Sequence, residues 1–201
     1  LIVPYQVEID GEMYKVTEVN LTVTGKSASN ESGTVGLPNI DNIVYPDTVK
    51  KIVGIPMWDI GKYTEKSVLK TCILPSKITE IPDRLFRYDA KLASINIPNG
   101  VTKIGDYAFY KCSGLASINI PNGVTKIGAN AFYECSGLTS INIPNEVTEI
   151  GYTAFYECSS LASVTYKGNT YTSKSAIKKA LTDAKVTLNG GDIFSNTNLS
   201  D

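Results

Sequence analysis

Three blocks of 23 residues, at positions 92–114, 115–137 and 138–160, follow one another without a gap and are nearly identical. The first reads LASINIPNGVTKIGDYAFYKCSG. The second differs from it only where Asp106 becomes Ala129, Tyr107 becomes Asn130 and Lys111 becomes Glu134. The third keeps Leu138, Ile141, Ile143, Pro144, Val147, Ile150, Ala154, Phe155 and Cys158 in the same register. A fixed period of this length marks a solenoid, because one repeat cannot enclose its own apolar face and buries it only by stacking on the next. Few other folds are open to such a chain.

Within a block, Ile95 and Ile97 alternate with Ser94 and Asn96, the period of two expected of a half-buried strand. The same slots recur as Ile118 and Ile120, as Ile141 and Ile143, and in looser form as Val164 and Tyr166. Pro98, Pro121 and Pro144 end each strand, since proline has no N–H to give to a ladder. Val101 and Ile104 then turn inward. Gly105, Gly128 and Gly151 mark either an unusual backbone conformation or a close approach. Ala108, Phe109 and Cys112 have the spacing of one face of a short helical turn. With Leu92 leading in, each coil offers about seven apolar side chains, worth ~25 cal/mol per Å² of surface removed from water.

Residues 69–91 make one more coil, with Cys72, Leu74, Pro75, Ile78, Ile81 and Phe86 in its slots and Pro82, Leu85 and Asp89 replacing Gly, Ala and Cys. Ile40, Ile43, Tyr45, Pro46, Val49 and Ile52 match the first half of an earlier one. Pro75 lies 29 residues after Pro46 instead of 23, which places an insertion near 53–67. The motif P-x-x-V-x-x-I-G-x-x-A-F-x-x-C on this period resembles the BspA-like, Treponema-type leucine-rich repeat family over residues 40–166. That resemblance implies a right-handed solenoid with its parallel sheet on the concave face. It also implies a module of secreted or cell-surface bacterial proteins, used for adhesion or protein recognition. The expected fold class is therefore an α/β solenoid: a leucine-rich repeat superhelix with short parallel strands, short helical turns and a cap at each end.

Residues 1–39 are expected to form the N-terminal cap. Val3, Tyr5, Val7 and Ile9 alternate, Asp10-Gly11 is a tight-turn signal, and 14–23 supplies a second extended run, followed by a loop at 25–38. The solenoid proper is expected over 40–166 and a C-terminal cap over 167–201. There Ser173 would cap a helix running to about Ala184, with Ile177 and Leu181 on its inner face. Val186-Thr187-Leu188 and Ile193-Phe194 would add a strand and an apolar plug.

Charge and composition narrow the functional classes. The 19 basic and 20 acidic residues leave a net charge of −1, without a basic face for nucleic acid or anionic lipid. No stretch approaches the ~20 apolar residues of a spanning helix, so this segment is not expected to enter a membrane. Leu1-Ile2-Val3 is too short for a signal peptide, so an exported protein would be represented here by a processed or trimmed chain. Histidine is absent, which excludes Ser-His-Asp and Cys-His nucleophile systems and His-containing zinc sites. No catalytic residue, metal site or cofactor is expected.

Two repeated surfaces are candidates for binding. Ser94, Asn96, Ser117, Asn119, Ser140 and Asn142 project from the strands away from the core as a polar, uncharged strip, able to donate and accept hydrogen bonds. The bland alternative is a solvated face whose amides bond to one another. Tyr110, Tyr133 and Tyr156 face out on the opposite side and either bind a sugar ring or partner or pack on one another. Cys112, Cys135 and Cys158 should line up along the axis as a buried reduced ladder, although neighbouring coils ~4.8 Å apart would also permit a disulfide. Glu134 and Glu157 form a carboxylate pair by repetition, without sign of a pocket. The function expected is a non-enzymatic interaction or adhesion module of an exported bacterial surface protein, monomeric and extracellular, contacting a protein or glycan on a host or bacterial surface. A spacer within a larger surface protein is the alternative, and a carbohydrate-active enzyme the distant one.

Overall fold

The computed structural model describes residues 69–201 continuously. Before them it describes the strand segments Gln6–Ile9, Glu12–Lys15, Glu18–Asn20, Asn42–Val44 and Lys51–Val53, with Tyr45, Asp47 and Val49. The Asp10-Gly11 turn, the loop at 25–38, Ile40, Pro46 and all of the insertion near 53–67 but Val53 lie outside the described residues. Strands β1 (Gln6–Ile9) and β2 (Glu12–Lys15) form an antiparallel pair with Val7 opposite Tyr14. Strand β3 (Glu18–Asn20) runs parallel to β5 (Lys51–Val53), and β4 (Asn42–Val44) runs parallel to β6 (Thr71–Ile73).

From residue 69 onward the chain is a parallel-strand solenoid, and each coil bonds to its neighbours along three ladders. The first runs from β6 through the bridges Ile73–Asn96 and Asn96–Asn119, and in the later coils it is formed by β10 (Ser140–Ile143) and β12 (Ser163–Tyr166), paired in register. The second joins β7 (Glu80–Ile81), β8 (Lys103–Ile104), β9 (Lys126–Ile127), β11 (Glu149–Ile150) and, last, β14 (Thr187–Leu188). Beside it, exposed Thr102, Thr125 and Thr148 each donate both the backbone N–H and the hydroxyl to the carbonyl of the threonine one coil earlier.

The third ladder departs from regular helix for a reason of hydrogen-bond accounting. Ala108, Tyr110 and Cys112 donate to carbonyls three residues back, whereas Tyr107, Phe109 and Lys111 donate to Ala129, Ala131 and Tyr133 of the next coil, each at 2.8 Å. An α-helix would consume all these N–H groups internally and leave nothing for the neighbouring coil. The alternation requires left-handed backbone at Tyr107 (φ 57°) and Lys111 (φ 60°), and the same pair recurs at Arg84 and Tyr88, Asn130 and Glu134, Thr153 and Glu157. Non-glycine residues carry the unusual conformation. The glycine that recurs in each repeat is instead a close approach: a Cβ on Gly128 would lie 2.5 Å from Asp106 Oδ1 and 2.6 Å from Asp106 N.

Stacking of equal residues builds the core. Phe86, Phe109, Phe132 and Phe155 form one file with centroids 5.2–5.4 Å apart and rings within 14° of parallel. Leu92, Leu115, Leu138 and Leu161 form another, fully buried. Cys112, Cys135 and Cys158 carry free thiols, and each Sγ donates to a phenylalanine carbonyl 26 residues upstream at 3.0 Å. Burial pushes these thiols up, to about 12 for Cys158, so they sit in the core protonated.

After β12 the chain turns back as β13 (Asn169–Tyr171), antiparallel to it, and enters helix α1 (Lys174–Asp183). The Ser173 hydroxyl accepts the Ala176 N–H at the helix start, and Ile177 and Leu181 are buried. Phe194 stacks on Phe155 at 5.4 Å, while Phe155 and Glu157 donate to the carbonyls of Ile193 and Ser195. The segment 193–196 thus stands where a further coil would.

Candidate binding surface

The six strip residues lie where strand alternation put them. Ser94, Asn96, Ser117, Asn119, Ser140 and Asn142 are all exposed, and the isoleucines between them are buried. The β10–β12 pairing in register carries the two columns on to Ser163 and Thr165. The amides do not bond to one another: among the described residues none of these six side chains has a hydrogen-bond partner. The asparagine column begins with two apolar members that sequence reading had not assigned to it, Val44 and Ile73, the latter 59% exposed. Its far end is closed by the Thr165–Thr170 hydroxyl contact at 3.3 Å.

Tyr110, Tyr133 and Tyr156 form a second file and are half-buried. Their rings stack at 4.9 Å and 5.1 Å with planes 13° and 15° apart, so Tyr133 lies between two neighbours. Tyr88 meets Tyr110 edge-on at 5.5 Å, and Asn196 Nδ2 donates to the Tyr156 hydroxyl at the other end. The ring faces are spent on one another, which leaves edges and hydroxyls for a ligand.

Beside the tyrosines runs a groove of about 580 Å³, lined by Tyr88, Lys111, Glu134, Glu157 and Asn196 and by the residues two positions after the first four of these. Sequence reading treated Glu134 and Glu157 as a pair without a pocket; the structure gives them one. Their column is one of the two left-handed ones, φ 53–69°. The 23-residue period already aligned Tyr88, Lys111, Glu134 and Glu157, but Asn196 joins by tertiary stacking that no spacing announces. Burial first, then the carboxylates of Glu157 and Glu134, push the Tyr133 hydroxyl above its usual value. Burial pulls the Lys111 ammonium down, but the hydrogen bond and charge of Glu134 outweigh it and hold Lys111 above the usual range.

A family model for the BspA type leucine rich repeat region matches residues 59–180 in 6 copies. The chain belongs to this family. The fold is similar to that of a leucine rich cell surface protein from Faecalibacterium prausnitzii, at 25% identity and a TM-score of 0.55 over 84% of this chain and 47% of that one. It is similar also to that of the pneumococcal vaccine antigen PcpA, at 21% identity and a TM-score of 0.56 over 84% of this chain and 40% of that one. The chain spans about half or less of the length of these two structures. Comparison with curated proteins returned no match. Among the described residues no helix is long and apolar enough to cross a membrane.

Proposed function

We propose that this chain is a non-enzymatic interaction module of an exported bacterial surface protein, and that it holds a protein or glycan ligand on the strip of Ser94, Asn96, Ser117, Asn119, Ser140 and Asn142. The observation that carries this reading is the lack of any partner for these exposed hydroxyls and amides among the described residues. An amide offers two donors and two acceptor sites, so a repeated row of them meets sugar hydroxyls or peptide groups equally well. The cell-surface description of the Faecalibacterium relative supports display outside the cell, and adhesion is the role such display would serve.

Screening against immobilised host matrix proteins and a glycan array identifies the ligand, and the triple variant Asn96→Ala/Asn119→Ala/Asn142→Ala tests the surface. Loss of binding with an unchanged melting temperature is the expected result; retained binding excludes the strip. Near-identity of 92–114 and 115–137 marks a recent duplication, which suits a spacer as well as a binder, so a spacer is the second reading. In that case no array component binds and the triple variant changes nothing. Protease shaving of intact cells, followed by detection of this domain's peptides, tests the location.

A further inference from the structure

The groove beside the tyrosine file carries an ordered charge pattern that the strip does not. Along the solenoid axis its lining runs from Tyr88, whose hydroxyl is backed by Arg87, through Lys111 to Glu134 and Glu157. The middle is neutralised, since Lys111 Nζ stands 3.2 Å from Glu134 Oε2. The ends are not. Arg87 lies over the Tyr88 ring at 4.4 Å and donates Nη2 to the Tyr88 hydroxyl at 3.0 Å, but its buried Nε has no partner and no carboxylate pairs with it among the described residues. Because that hydroxyl accepts from Arg87, its own proton remains available to an acidic ligand group. Glu157, at the other end, has no cation among the described residues.

We infer that this groove is a second binding site, taking an extended peptide with an acidic side chain at the Arg87 end and a basic one, four positions away, at Glu157. Three coil steps of ~4.8 Å separate the two ends by about 15 Å, and an extended chain advancing ~3.3 Å per residue covers about 13 Å between positions i and i+4, which share one face. Spacings of two or three residues fall short or place the charges on opposite faces. Polypeptide supplies both signs of charge at such a separation; a neutral glycan supplies neither. The backbone of Tyr88 and Glu157, at the two ends, is held in a conformation that glycine would adopt freely, yet none of the five positions in their column is glycine. This site is independent of the strip and stands or falls apart from it.

The test uses a short capped, fluorescein-labelled peptide, threonine throughout except for one aspartate and, four positions on, one arginine, followed by anisotropy. Binding that weakens as salt is raised is expected. Glu157→Gln should weaken it by about tenfold, and Glu157→Arg should abolish it while creating binding of the matching peptide with two aspartates. Glu157 is at the surface, and unchanged thermal unfolding of Glu157→Gln keeps its result readable on its own. The inference is overturned if the peptide does not bind, if a two-residue spacing binds as well, or if both Glu157 variants bind like the parent. It is overturned equally if the triple asparagine variant loses the peptide, which would assign it to the strip.

Discussion

Gly128 sits where the backbone of one coil presses on that of the coil before it. Adding a Cβ there forces contact with Asp106, whereas a Cβ on Gly100 would meet nothing nearer than the Ile78 carbonyl at 3.5 Å. Gly128→Ala should therefore cost about 1–3 kcal/mol and Gly100→Ala stay within about 1 kcal/mol of the parent, as read by urea denaturation. The cysteines make a second prediction at this scale. Their thiols are raised by burial, so the stabilisation from keeping them protonated is complete below the free-thiol range near ~8.5 and is lost as pH climbs from there toward the folded value of about 12 for Cys158. The denaturation midpoint should fall between pH 8 and pH 10, and a thiol reagent at pH 8 should label the cysteines only in denaturant. The inward positions of Ile95, Phe109 and Cys112 were legible in the sequence because side-chain direction follows local period. The left-handed backbone at Tyr107 and Lys111 was not, because it answers hydrogen bonds to another coil.

At the scale of elements, the short strands are two to four residues long and would not persist alone. Those of the five-stranded ladder exist because each is bonded to an equivalent one coil away, which is why that ladder has no mixed pair. The last coil has no such twin, and 186–196 substitutes for it: Thr187 and Asn189 donate to Thr148 and Ile150, and Phe194 completes the ring file. Phe194→Ala should cost about 3–5 kcal/mol in a global unfolding experiment, with early loss of hydrogen-exchange protection around Phe155. The expectation of an apolar plug at Ile193 and Phe194 came from composition at the chain's end. Their seating on Phe155 required the backbone to cross back after α1, which no local pattern specifies.

For the whole molecule, stability is a sum over coils and the contacts between neighbours. Excising residues 115–137 should leave Gly114 joined to Leu138 in unbroken register, giving a folded chain with a smaller denaturant slope and a lower midpoint. Removing 115–125 alone, about half a coil, should unfold it. Circular dichroism with urea titration separates the two outcomes. Period and slot occupancy were enough to settle the coil, its inward side chains and the family, because identical segments can share one interior only by stacking in register. The period also aligned Tyr88, Lys111, Glu134 and Glu157 outside that interior, but that their column borders a groove, and that Asn196 stands at its end, was settled by how the coils bond to one another. Such neighbours are set by hydrogen bonds between coils and by the chain's return after the helix, and a one-dimensional pattern carries no record of either.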